Sequence, residues 1–228
     1  MKNELWLIWR DPKTRLRYKV GVLRLENNYY YFEYTNPELD DASCVGFDVF
    51  PGFERDKHYK SESLFSNIKK RLPDHKRLDY LDTLNTYNLT DGSSDWDTLV
   101  ATRGRIVTDD YEFVLPFTLD KIEFEVAGTR HRENYEKIKE ILHPNCKVQL
   151  ELEPKNKYDN NAIKICYKNK EKEYHIGYVP RFYSKQLASF LATNGHYSAI
   201  IKKISFGDIN HDNDITAEVQ LIFEKQNP

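Results

Sequence analysis

Glu153-Pro154-Lys155-Asn156-Lys157-Tyr158-Asp159-Asn160-Asn161-Ala162-Ile163 is the stretch on which the fold of this chain turns. Pro154 removes a backbone donor, and the short side chains of Asn156, Asp159, Asn160 and Asn161 can bond the backbone beyond them. Residues 154–161 therefore read as a loop. On either side, residues 148–152 and 162–167 have the apolar, β-prone character of strands. Upstream, Ile122-Glu123-Phe124-Glu125-Val126 alternates strictly between apolar and acidic residues, the mark of a half-buried strand. Residues 134–142 and 184–191 carry helical spacing, and residues 197–205 and 215–224 alternate as closing strands. Many short strands with two helices between them suit a small closed β-barrel.

The first half reads differently. Leu5-Trp6-Leu7-Ile8-Trp9, residues 18–25 and residues 29–34 are strand-like, with the last two joined through Asn27 and Asn28, which tolerate a tight hairpin. A β-meander ending at Asn36-Pro37 follows from this. Residues 40–60 are expected to be irregular. Helical patterns run over 61–72, stopped by Pro73, and over 79–87. A third covers 94–101, with Ser94 placed three residues before Asp97 as in a capping box. Residues 111–115 return to strand character. The whole is expected to be α+β, with one unit at 1–117 and a second at 118–228.

The charge is nearly balanced, 34 Lys plus Arg against 36 Asp plus Glu. Any hold on a polyanion must come from a local basic site and fade with salt. No apolar run approaches the roughly 20 residues of a membrane span, and the Met-Lys-Asn-Glu-Leu-Trp start lacks the apolar core of a secretory signal. A cytoplasmic protein is expected. Cys44, Cys146 and Cys166 show no paired spacing, so neither a disulfide framework nor a structural metal site is expected.

Three ordered motifs carry a resemblance: Val126-Ala127-Gly128-Thr129-Arg130-His131, then 153–163, then Ile176-Gly177-Tyr178-Val179-Pro180. In this order and spacing, residues 120–223 resemble the HIRAN family. The resemblance implies an OB-like barrel that captures the 3′-hydroxyl end of single-stranded DNA. It places Arg130 on a phosphate and His131 where family members stack a tyrosine on a base. It assigns Asn156, Tyr158 and Asp159 to the loop holding the terminal nucleotide, with Tyr158 as stacking face and Asp159 as hydroxyl acceptor. Tyr178 would line the same site, and Arg181 just after the third motif completes the candidate set. Lys157 and His131 depart from the pattern, replacing a proline and a tyrosine.

The chemistry is coherent without the resemblance. A binder of strand ends needs a cation, an aromatic face and a small acceptor, and Arg130, Tyr158 and Asp159 are one of each. The plainer alternative is that Asn156 and Asp159 only shape a loop and that Tyr158 is a packing residue.

In the first half, Val20-Gly21-Val22-Leu23, Tyr31-Phe32-Glu33-Tyr34 and Phe50-Pro51-Gly52-Phe53, with Leu64-Phe65 and Arg71-Leu72-Pro73 after them, resemble the N-terminal subdomain of HipA-type toxin kinases. That resemblance implies a partner role, as an antitoxin or regulator restraining such a kinase. No phosphate loop or catalytic H-x-D run is present, so the chain is not itself expected to be a kinase.

Other chemistry is set aside. Glu151, Glu153 and Lys155 match the E-x-K arm of metal-dependent nucleases, but the triplet is common and Pro154 interrupts it. Residues 208–214 look like a calcium loop without its glycine, and a polar hairpin fits them better. The basic run from Arg10 to Lys19, through Lys13, Arg15 and Arg17, suits a solvated strand face, a DNA track or an acidic partner. The expectation is a non-catalytic binder of single-stranded DNA or DNA ends, without cofactor, with a HipA-type kinase as the alternative partner.

Overall fold

Asn27 and Asn28 adopt positive φ values of 51° and 64°, the conformation a two-residue hairpin needs to match the twist of its strands. They join β2 (Arg17–Glu26) to β3 (Tyr29–Tyr34). The structure is a computed structural model that describes residues 3–170, 172–193, 195–206 and 215–222. The chain divides into two units, Met1–Pro116 and Phe117–Pro228.

In the first unit, β1 (Glu4–Arg10) precedes that hairpin, and β4 (Tyr59–Ser61) and β5 (Tyr111–Val114) complete an antiparallel sheet in the order β4-β3-β2-β1-β5. Four helices lie along the chain: α1 (Glu38–Cys44), α2 (Ser66–Lys69), α3 (Tyr80–Thr86) and α4 (Asp95–Thr102). Side chains alternate across a strand, so Leu5, Leu7 and Trp9 share one face and enter a core with Phe32, Phe50 and Phe113. The Tyr34 hydroxyl crosses this core edge. It donates to the Phe53 carbonyl at 2.9 Å and accepts from the Phe50 N–H at 2.7 Å. Ser94 caps α4 by accepting from the Asp97 N–H at 3.0 Å.

Two expectations fail here. Residues 40–60 are not irregular throughout, because α1 buries Leu39 and Ala42 and β4 pairs with β3. The helix expected over 61–72 shrinks to α2, since Ser61 is held in β4 opposite Tyr30 and the chain turns at Pro73.

The second unit runs β6 (Lys121–Glu125), a 3₁₀ turn (Thr129–His131), α5 (Tyr135–Ile141), β7 (Gln149–Leu152), β8 (Ile163–Asn169), β9 (Lys172–Tyr178), α6 (Arg181–Ala192), β10 (His196–Ile204) and β11 (Ile215–Ile222). Two three-stranded sheets form, β10-β11-β6 and β7-β8-β9. Isolated bridges join both pairs of edges, Ala127 to Tyr178 and Lys147 to Ile200. Hydrogen bonding therefore runs around a ring of six strands. Ile122, Phe124, Ile163, Ile165, Ile176, Ile201 and Val219 lie inside it, each almost fully buried. Strand β9 has no counterpart in the sequence reading. The proposed hairpin at 208–214 and the end of the last strand at 223–224 fall outside the described residues.

Candidate functional site

Gly177 sets the entrance to the site. Its φ is +151°, and a Cβ there would lie 2.5 Å from Val126 Cγ1 and 2.6 Å from the Ala127 carbonyl oxygen. Only a glycine lets β9 approach the end of β6 this closely. Ala127 and Tyr178 then exchange backbone hydrogen bonds of 2.8 and 2.9 Å. This pairing launches the 3₁₀ turn from Gly128, itself at φ 74°. The turn exposes Arg130 and His131 and leaves Arg132 half-buried.

Arg132 is fixed against the barrel. Its Nε donates to the Gly128 carbonyl at 3.1 Å, its guanidinium lies 5.3 Å from the centroid of the Tyr178 ring, and Nη1 is 3.4 Å from His175 Nδ1. His175 Nε2 is 3.0 Å from the Gly177 carbonyl oxygen. A neutral imidazole satisfies both neighbours, accepting at Nδ1 and donating from Nε2. Burial, and then the Arg132 charge, push the His175 pKa down, which favours that neutral form. Thr129 is buried, and its hydroxyl has no hydrogen-bond partner among the described residues.

Glu153 ties this side of the site to the loop. Its Oε2 accepts from the Asn156 amide at 2.7 Å and from the Tyr178 hydroxyl at 3.0 Å, while Lys164 Nζ lies 2.8 Å from Oε1. The Asn156 hydrogen bond, followed by that of Lys164, holds the Glu153 carboxyl at about 2. Asn156 turns its own oxygen inward to accept the N–H groups of Tyr158 at 2.9 Å and Asp159 at 3.3 Å. This is the local bonding that keeps an Asx turn in shape. Tyr158 points outward, 59% exposed, with Lys157 Nζ 4.6 Å from its ring centroid.

Asp159 faces helix α6. Its Oδ2 accepts from the buried Ser184 hydroxyl at 2.6 Å, and its Oδ1 accepts from the Asn161 N–H at 2.8 Å. A carboxylate offers about four lone-pair directions, so acceptor capacity remains. Arg181, half-buried, opens α6 three residues before Ser184.

The candidate residues thus fall on three connected segments. Asn156, Tyr158 and Asp159 share the loop, Tyr178 is joined to that loop through Glu153, and Arg130 with His131 stands on the turn paired to Tyr178. Glu153, Arg132, Lys164 and Ser184 are the members the motifs did not assign to this site. Glu153, the residue that the nuclease alternative would use, accepts here from three neighbouring donors. One group of metal-type ligands exists among the described residues, Glu151, Cys166 and Glu173, whose ligand atoms lie within 4.8 Å of one another. Burial, and then the charges of Glu151 and Glu173, push the Cys166 thiol up to about 12, so it is protonated at neutral pH.

No helix among the described residues is long and apolar enough to cross a membrane. No curated protein sequence matches the chain. Two solved structures are similar to part of it. The HIRAN domain of human HLTF is 20% identical, over 45% of this chain and 75% of its own, with a TM-score of 0.35. A protein from Lactobacillus plantarum is 20% identical, over 44% of this chain and 92% of its own, with a TM-score of 0.34. Nothing in these comparisons supports the HipA-type resemblance of the first half. The HIRAN domain family matches residues 119–224, which place that match within the second unit and on every residue of the site just described.

Proposed function

We propose that the second unit is a non-catalytic binder of single-stranded nucleic acid that takes a free 3′ end into the site built by Arg130, Tyr158, Asp159 and Tyr178. The observation that carries this reading is the Tyr178–Glu153–Asn156 chain of hydrogen bonds. It holds a basic turn and an exposed aromatic loop in one fixed arrangement before any ligand arrives. Arg130, and Arg132 behind it, meet the last phosphates. Tyr158 stacks on a base, and Asp159 accepts from the terminal hydroxyl.

Magnitudes support the Tyr158 role despite its neighbour. An exposed cation–π pair such as that of Lys157 contributes about 0.5–1 kcal/mol, whereas base stacking on an aromatic contributes about 1–3 kcal/mol. A base therefore displaces Lys157 from the ring, or uses the opposite face, and the freed ammonium can move to a phosphate. Stacking accepts any base, so little sequence preference is expected.

The test is fluorescence anisotropy of the full chain with short single strands ending in a 3′-hydroxyl or a 3′-phosphate. Tighter binding to the hydroxyl end, with the difference abolished in Asp159→Ala, supports end capture. Equal affinity for the two ends removes end recognition, and no binding to either removes the nucleic-acid reading itself.

A further inference from the structure

Arg132 is a half-buried cation without a counter-charge. Its side chain touches the Gly128 carbonyl, the His175 imidazole and the Tyr178 ring, all neutral, and no carboxylate pairs with it among the described residues. Withdrawing such a charge from water costs stability unless an anion meets it. A guanidinium is not deprotonated in a protein and carries five N–H donors. Gly128, His175 and Tyr178 engage at most three of them, so at least two remain.

The side chain is nonetheless aimed. The guanidinium lies against the Tyr178 ring, and the His175 ring stands at 86° to Tyr178 with the centroids 4.7 Å apart. His175 is itself held by the Gly177 carbonyl. The Nη2 edge of Arg132 faces Gly128. Among the described residues, a Cβ built on Gly128 would meet Nη2 at 3.9 Å and no other atom within 4 Å. The space beside this edge is therefore open, and a missing side chain keeps it so. Glycine serves in this way where a ligand approaches the backbone closely.

We infer that Arg132, aimed by His175, holds a phosphate of the strand upstream of its 3′-terminal nucleotide, in the open space beside Gly128, given the end-capture reading on which this rests. The guanidinium fork matches phosphate oxygens in pairs. Tyr178, Glu153 and Asn156 stand between Arg132 and Asp159 in the chain of contacts. The phosphate at Arg132 is thus not the one next to the terminal hydroxyl. A mononucleotide cannot fill both ends of the site, and a strand can. His175 is a positioning residue: it acts through Arg132, accepting at Nδ1 while Nε2 donates to Gly177. A glutamine amide offers the same acceptor and donor, and a phenylalanine offers neither.

The experiment is fluorescence anisotropy of the full chain with a short 3′-hydroxyl strand, either unmodified or with one linkage at a time made a neutral methylphosphonate. In the wild type, neutralising one linkage upstream of the terminal nucleotide is expected to weaken binding about tenfold, the size of a lost charge-assisted hydrogen bond. Arg132→Gln should lose the same affinity and no longer respond to that linkage. Its log K against log salt slope should flatten by about 0.7. His175→Phe should follow Arg132→Gln, and His175→Gln should follow the wild type, a rescue that a merely structural histidine does not give. Urea midpoints check that each variant is folded, and Arg132→Lys, which keeps the charge, should keep part of the response. An Arg132→Gln protein that still suffers the full methylphosphonate loss at every linkage would overturn the inference. A 3′-phosphate strand separates this from the reading beneath it. Equal affinity for the two ends, with the Arg132 linkage effect intact, removes end capture and leaves the phosphate site standing. Tighter binding of the hydroxyl end with no such effect removes the phosphate site alone, and no binding of any strand removes both.

Discussion

Glu153 and Tyr178 lie 25 residues apart in sequence, and the Tyr178 hydroxyl donates to Glu153 Oε2 at 3.0 Å. Through this bond the glycine-dependent pairing of β9 with the end of β6 is mechanically linked to the Asn156 loop. The site is thus one rigid assembly drawn from three segments.

Replacing the hub should loosen all of it. Glu153→Gln leaves Lys164 without its carboxylate and presents an amide to the donors of Asn156 and Tyr178. A loss of about 1–3 kcal/mol in stability is expected from the unsatisfied groups, together with weaker strand binding. Tyr178→Phe removes one hydrogen bond and should cost about 0.5–1.5 kcal/mol. Urea denaturation of the two variants, followed by anisotropy, reads both effects.

Acid should act through the same carboxylate. Glu153 is held at about 2, below its ordinary 4.5, so the folded state favours the charged form. That contribution is fully present above about pH 4.5 and is lost as pH falls toward about 2. The stability gap between wild type and Glu153→Gln should therefore narrow across this window. A gap that stays constant through it would mean Glu153 is not the titrating group.

Gly177→Ala tests the close approach. The new methyl meets Val126 Cγ1 at 2.5 Å and the Ala127 carbonyl oxygen at 2.6 Å, at a φ of +151°. Strain of this kind costs about 1–3 kcal/mol, so the thermal midpoint should drop by several degrees. A midpoint equal to wild type would show that the two strand ends separate at no cost.

In the first unit, Arg71 is almost fully buried. It forms a fork to Asp109 at 2.6 and 2.7 Å and donates to the Gly104 carbonyl at 2.7 Å. Arg71→Met strands the partner charge and should cost about 3–5 kcal/mol. Arg71→Lys cannot reproduce the fork and the carbonyl bond together, and should fall between. Urea midpoints of the three proteins give the order.

Thiol labelling offers a further check on packing. Cys44 is exposed, whereas Cys146 and Cys166 are buried, with the Cys166 thiol raised to about 12. One cysteine should react promptly in the native protein and the other two only on unfolding.

Local chemistry makes parts of this protein legible from its sequence. Asn27-Asn28 states its hairpin and Ser94 its helix start, because the bonds involved span only two or three residues. Helix α1 is not legible, because Glu-Leu-Asp-Asp-Ala-Ser-Cys is a weak helix former. It is held in place by burial of Leu39 and Ala42 and by Glu38 accepting the Lys19 N–H at 2.8 Å. Strand β9 escapes notice because Lys172-Glu173-Tyr174-His175-Ile176 hides its alternation behind charges, with only Tyr174 and Ile176 buried on the ring's inner side. The candidate site follows the same division. Arg130, Asn156, Tyr158 and Asp159 stand in recognisable motifs. Glu153 and Ser184 gain their roles only when the fold brings Tyr178 and Asp159 to them across 25 residues.

The most direct measurement is amide chemical-shift mapping of the nitrogen-15-labelled full chain, titrated with a short single strand carrying a 3′-hydroxyl. The account predicts that the largest changes fall on residues 128–132, 156–159 and 177–184, the three segments joined by Glu153 and Asp159. Changes confined to other parts of the barrel, or none at all, would contradict it.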